Sequence, residues 1–145
     1  MRFFSVLVWQ LLLLAGPCHV LAKSAFAHFM VGNCQTYTLA EWQNEMALAK
    51  AAHLDAFALN MAAGEAGPLA LAFQAANNVG FKLFFSFDYG PSKWAASDVL
   101  NLIQQYKGNN AYFKYNNQPF VSTFEGTESA QDWVAIKSTT GMSAI

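Results

Sequence analysis

Cysteine and arginine are nearly absent from this chain, and each scarcity closes off a kind of function. Two cysteines occur in 145 residues. Cys18 falls within an apolar leader, which leaves Cys34 alone and rules out an intrachain disulfide framework in the rest of the chain. No Ser or Cys with His and Asp at nucleophile spacing surrounds Cys34, so a buried or half-buried, unreactive thiol is expected. Nor do His28 and Cys34 have further ligands at zinc-binding spacing. Arg2 is the one arginine, and every later base is lysine. Phosphate backbones are held by clustered bases and by the bidentate fork of arginine, so nucleic acid is not an expected partner. A glycine-rich phosphate loop is missing too. The first β-prone run gives way to Val31-Gly32-Asn33-Cys34-Gln35, without the glycine spacing that lets a backbone close on a pyrophosphate.

What is present begins with that leader. Arg2 precedes an apolar run over residues 3–15, Pro17 breaks it, and Val20 with Ala22 gives the small-residue pattern of a signal-peptidase site. Residues 1–22 therefore read as a signal peptide, with the mature chain beginning at Lys23. The alternative, a membrane anchor, needs about 20 apolar residues in a row, and this run is shorter. A secreted, extracellular protein is expected, with no membrane contact after cleavage. Its aromatic content of 15% suits a large core or a surface for carbohydrate.

Four apolar, β-prone runs recur, at residues 25–32, 54–60, 81–88 and 120–125. They lack strict polar alternation, as strands of a parallel sheet covered on both sides do. Each leads into helical spacing. Thr38 and Glu41 form a capping box ahead of Leu39, Trp42, Met46 and Ala49 on one face. Pro68 opens a second helix that runs to Val79 and closes on Gly80. Val99, Leu102, Ile103 and Tyr106 mark a third, capped by Ser97 and stopped by Gly108. A fourth, over residues 129–138, turns Trp133 and Ile136 inward and ends before Gly141. Residues 112–115 and the turn Asn116-Asn117-Gln118-Pro119 make a hairpin-like insertion before the fourth strand. The chain is thus α/β, four βα units without a linker between them. A small doubly wound sheet and the first half of an eightfold barrel both fit this order, and the missing phosphate loop favours the barrel.

Ligands bind beyond the carboxyl ends of such strands. The polar residues there are Asn33, Asn60, Asp88 with Tyr89, and Glu125. Asp88 and Glu125 end neighbouring strands, and two carboxyls roughly 5–10 Å apart are the equipment of glycoside hydrolysis. Each could equally cap a turn or accept a bond from a bound hydroxyl. His28 reads as a core histidine or, near the strand ends, as a ligand contact. Trp94 could stack on a sugar ring or pack over the third helix. Trp42 and Trp133 lie on apolar helical faces and read as core.

The stretches AFAHFMVGNCQTYT, EMALAKAAHLDAFALNMA, GFKLFFSFDYG and NNAYFKYNNQPFVSTFEG, with DWVAIKS after them, resemble glycoside hydrolase family 71, the fungal α-1,3-glucanases or mutanases, over residues 24–141. The resemblance implies a (β/α)8 TIM barrel that hydrolyses the polysaccharide α-1,3-glucan with inversion and without a metal or other cofactor. It also implies that the catalytic acidic pair lies in an Asn-Asp-Tyr-Gly-Glu-like segment expected beyond Ile145. Residues 23–145 then form the first four βα units of a truncated barrel. His28, Asn60, Asp88, Tyr89, Trp94 and Glu125 become candidate substrate-binding residues. Alone, such a half barrel is expected to leave its first and fourth strand edges unpaired, to expose faces such as Phe81, Leu83, Phe85, Phe120 and Phe124, and to lack activity. The alternative function is a noncatalytic secreted carbohydrate-binding or interaction protein.

Overall fold

The computed structural model describes residues 23–144, so the leader over residues 1–22 and Ile145 lie outside the described residues. In chain order the elements are β1 (Phe26–Met30), α1 (Leu39–Ala51), β2 (Ala56–Met61), α2 (Leu69–Val79), β3 (Lys82–Asp88), α3 (Ala96–Tyr106), β4 (Lys114–Tyr115), β5 (Gln118–Phe124), α4 (Ala130–Thr140) and β6 (Ser143–Ala144). Short 3-10 turns follow β1 at Val31–Cys34 and β5 at Thr127–Ser129. The sheet order is β1-β2-β3-β5, all parallel; β4 pairs antiparallel with the start of β5, and β6 pairs parallel with β5 on its far edge.

Local chemistry explains the helix ends. The Thr38 hydroxyl accepts the Glu41 N–H at 3.3 Å while the Glu41 carboxylate accepts the Thr38 N–H at 2.7 Å, the reciprocal cap that frees α1 from two orphan amides. Gly80 closes α2 at φ 69°, a left-handed angle that costs other residues steric energy. Ser97 does not cap α3. The helix begins two residues earlier than such a cap implies, at Ala96 with Ala95 in the capping position, which places Ser97 inside the first turn. The hairpin turn is tighter than the sequence suggests, because Asn116 and Asn117 both take positive φ and form a two-residue turn, so Gln118 and Pro119 already belong to β5.

Strand register sorts the side chains into two faces. Phe29, Phe57, Leu59, Met61, Leu83, Phe85, Phe87 and Val121 share one face, and all four helices pack on it. Phe29 meets Trp42 of α1, Phe85 meets Phe73 of α2 and Tyr106 of α3, and Phe87 meets Trp133 of α4. Helices on a single face exclude the doubly wound sheet, which needs them on both. Leu83 and Phe85, expected to lack part of their core, are fully buried here, and Phe81 is 3% exposed.

The other face carries Phe26, His28 and Met30 of β1, Ala56, Ala58 and Asn60 of β2, Phe84, Ser86 and Asp88 of β3, and Phe120, Ser122 and Phe124 of β5. It is concave. In a flat sheet β1 and β5 would stand three spacings, roughly 14 Å, apart. Yet the Phe26 and Phe120 rings lie 5.9 Å apart and His28 and Phe124 6.1 Å. Small Ala56 and Ala58 on this face, against Phe57 and Leu59 on the other, let the sheet curl this way. At its amino-terminal end, Phe26, Phe84, Phe113 and Phe120 close the hollow with edge-on ring contacts near 5 Å.

Candidate functional site

At the carboxyl ends of the strands the concave face turns polar. Asn60 and Ser86 pair in register, and Asp88 stands two residues beyond Ser86 on the same face. All three are buried. Asp88 Oδ1 accepts the Gly90 N–H at 2.8 Å, which folds the chain back sharply after β3. The Asn60 side-chain amide is 2% exposed and has no hydrogen-bond partner for its Nδ2 among the described residues. Such a donor is costly to leave unpaired, by about 1–3 kcal/mol.

Glu125 reaches the same place by an unusual backbone. Strand alternation alone would turn it toward the helices. Instead Glu125 at φ 55° and Gly126 at φ 82° form two successive left-handed residues that swing the chain out of β5. A Cβ built on Gly90 would lie 3.1 Å from both Asp88 Oδ1 and Glu125 Oε2. Those two oxygens are therefore separated by at most twice 3.1 Å. A side chain at position 90 would press its Cβ against both carboxylates and require them to shift by a few tenths of an ångström.

The remaining candidates divide. His28 is exposed on the concave face beside Phe124, not a core histidine. Tyr89 faces the helix side and is 6% exposed. Its hydroxyl comes near Trp133 and Asp132 without a hydrogen bond of good geometry, and burial first, then the Asp132 charge, pushes its pKa up. Trp94 is buried against Phe87, and its indole N–H donates to the main-chain oxygens of Met61 and Asp88 at 3.3 and 3.1 Å. It ties two strand ends together and offers no free ring face for stacking. Asn33 is exposed in the turn after β1. Cys34 is buried, its thiol donating weakly to Met30 O at 3.5 Å, and desolvation raises its pKa.

Sequence reasoning passed over Glu65. Its carboxylate accepts the Ala62 N–H at 2.8 Å and lies so close over Gly32 that any Cβ there would collide with it. Gln35 adds bonds to Val31 O and Glu65 O, both 3.1 Å, so the loops after β1 and β2 are laced together. A cavity of about 290 Å³ opens beside the edge of β5 past its short pairing with β6, lined by Ser122, Glu125, Ala130, Trp133 and Lys137. Among the described residues no group of three or more His, Cys, Asp or Glu could hold a metal ion, and no helix is long and apolar enough to cross a membrane.

Parallel strands whose helices pack on one face, with acids and amides gathered at the strands' carboxyl ends, define an α/β domain of the kind that binds ligands at that edge. Residues 21–145 match the model of glycosyl hydrolase family 71, and the chain belongs to that family. It is 39% identical over 124 residues to a mutanase of Penicillium rubens, covering 81% of this chain and 27% of that protein. It is 35% identical over 108 residues to a glucan endo-1,3-alpha-glucosidase of Schizosaccharomyces pombe, covering 72% of this chain and 26% of that one. An ascus wall endo-1,3-alpha-glucanase of the same yeast is 30% identical over 111 residues, covering 73% of this chain and 26% of its own length. The chain thus spans about a quarter of the length of these relatives. Its fold is similar to a solved GH99 endo-alpha-mannosidase of Bacteroides thetaiotaomicron, a TIM-barrel enzyme, with TM-score 0.56 over 70% of this chain and 42% of that one. At 13% identity that likeness is one of fold alone.

Proposed function

We propose that the chain forms the amino-terminal half of the catalytic barrel of a secreted hydrolase that cleaves α-1,3-glucan of fungal walls with inversion. In this reading residues 1–22 are its signal peptide and residues 23–145 the first four βα units of a (β/α)8 barrel. The carrying observation is membership of glycosyl hydrolase family 71 in a chain whose sheet curls around a polar, carboxyl-end edge. The names of the relatives supply the substrate, and the ascus wall enzyme among them supports an extracellular site of action. The curl supports a barrel, as does β6, which begins a further parallel strand on β5 below the cavity that a longer strand would fill.

Within this reading Asp88 and Glu125 bind substrate. Inverting pairs keep their carboxyls roughly 6.5–9.5 Å apart to seat a water between them. The nearest single oxygens of Asp88 and Glu125 lie at most twice 3.1 Å apart, which does not set the separation of the two carboxyl groups, and it is the resemblance to the family that assigns catalysis to another acidic pair. Two acceptors at this separation suit adjacent sugar hydroxyls, and the unpaired Asn60 amide offers the complementary donor. The acid and base then belong to strands beyond residue 145. Tyr89 and Trp94 serve the site by packing. The test joins this segment to the remaining barrel and follows sugar release by NMR from α-1,3-glucan, with β-1,3- and α-1,4-glucans as controls. Release from α-1,3-glucan with initial β-anomer is expected. Release only from a control, or none, contradicts the reading, and initial α-anomer contradicts inversion.

A further inference from the structure

We infer that Tyr89 is a positioning residue, a brace that aims Glu125 across the gap at Asp88 by way of Gly126. The inference rests on the reading of Glu125 as a substrate contact. Three observations meet at this point. Glu125 holds a left-handed backbone, φ 55°, that an L-residue adopts at a steric cost and keeps only where its surroundings enforce it. Gly126 continues that conformation at φ 82°, and a Cβ there would stand 2.5 Å from Tyr89 Cγ and 2.7 Å from its Cβ. The Tyr89 N–H donates to Phe124 O at 3.0 Å, which fixes the ring's own backbone to the last residue of β5.

The tyrosine ring is therefore the wall against which the glycine peptide is pressed. Released from that wall, the two residues can relax toward extended backbone. Alternation then carries the Glu125 side chain to the helix side, away from Gly90 and Asp88. The phenol oxygen has no part in this, being buried and without a hydrogen-bond partner among the described residues. The ring, not the hydroxyl, does the positioning, which separates this role from a direct sugar contact through the hydroxyl.

The experiment is a double-mutant cycle in the complete barrel carrying this segment, with an α-1,3-linked glucopentaose as substrate and thermal unfolding read in parallel. Tyr89→Phe should hold kcat/KM within about twofold, while Tyr89→Ala, which removes Cγ and the ring, and Gly126→Ala should each lower it about tenfold. In a Glu125→Gln background, Tyr89→Ala should cost less than about twofold more, because the residue it aims is already disabled. A full tenfold loss in that background, or a loss tracking the melting temperature alone, overturns the brace and leaves the site standing. A large loss in Tyr89→Phe makes the hydroxyl a contact and also overturns it. No effect of Glu125→Gln by itself overturns the site and the brace together.

Discussion

On the helix side of the sheet Leu59, Met61, Leu83, Phe85 and Phe87 are all fully buried, whereas on the concave side Phe26, Met30 and Phe124 keep 37, 46 and 49% of their surface. The two faces come from the same strands, residue by alternate residue. One face is finished, with four helices supplying a partner for every large side chain. The other is finished only where Phe26, Phe84, Phe113 and Phe120 meet near its amino-terminal end. On the proposed function, stability is concentrated behind the sheet and recognition in front of it, so substitutions on the two faces should report on different quantities.

The sharpest way to break that comparison is Phe85→Ala in the complete barrel. Phe85 touches Phe73, Tyr106 and Tyr112 and has no exposed surface. Its loss should cost about 3–5 kcal/mol in urea unfolding, with the kinetics of the molecules that remain folded unchanged. Asp88→Ala and Glu125→Ala should do the reverse. Each removes a charged acceptor, about 1.5–3 kcal/mol from kcat/KM, while the unfolding midpoint of Glu125→Ala stays close to wild type and that of Asp88→Ala falls by the smaller loss of the Gly90 N–H bond, about 1 kcal/mol. Stability loss in these variants matching the activity loss would place both acids in the scaffold.

A smaller effect belongs to the rim of α1. Thr38→Ala should lower stability by about 1 kcal/mol, read by chemical denaturation. The Thr38 backbone and then its side chain hold the Glu41 carboxyl below its usual pKa. The cap's contribution is thus full above the ordinary carboxylate pKa and fades as pH falls through the lowered folded value. Glu41→Gln, which removes the titrating group while Thr38 keeps its backbone N–H, should therefore flatten the acid limb of the stability profile, and an unchanged limb would remove Glu41 from the cap.

The helix ends were legible because their signals are local. Thr38 with Glu41, and Gly80 after Val79, announce themselves within four residues. Ser97 misled for the same local reason, since a good cap residue two places past Ala95 is overruled by where packing on Val99 and Ile103 starts the helix. Strand faces were partly legible. In the run from Phe81 to Asp88 the polar Lys82, Ser86 and Asp88 alternate onto the face that carries Phe84, while Phe81, Leu83, Phe85 and Phe87 make the other face wholly apolar. But a lone aromatic such as Phe84 among polar neighbours does not say which face meets the helices. The site was half legible. Acids at strand ends can be read from sequence, but the direction of Glu125 depends on two positive φ angles, and the roles of Gly90, Gly126 and Glu65 depend on close approaches across the fold. The recurrence of acid followed shortly by glycine, Asp88-Tyr89-Gly90 and Glu125-Gly126, is the one signal that pointed there.

The most direct test of an unfinished concave face and a shared active barrel is to express residues 23–145 alone beside the complete barrel, and to measure thermal unfolding and reducing sugar released from α-1,3-glucan. The account predicts that the segment alone shows no sharp transition and releases nothing above a blank, because the open edge of β1 and the barely covered edge of β5 lack partners and because the proposed function puts the acid–base pair outside residues 23–145. The complete barrel should melt cooperatively and release sugar. A soluble monomer of residues 23–145 that unfolds sharply would contradict the half-barrel account, and sugar released by it would return Asp88 and Glu125 to the role of working pair.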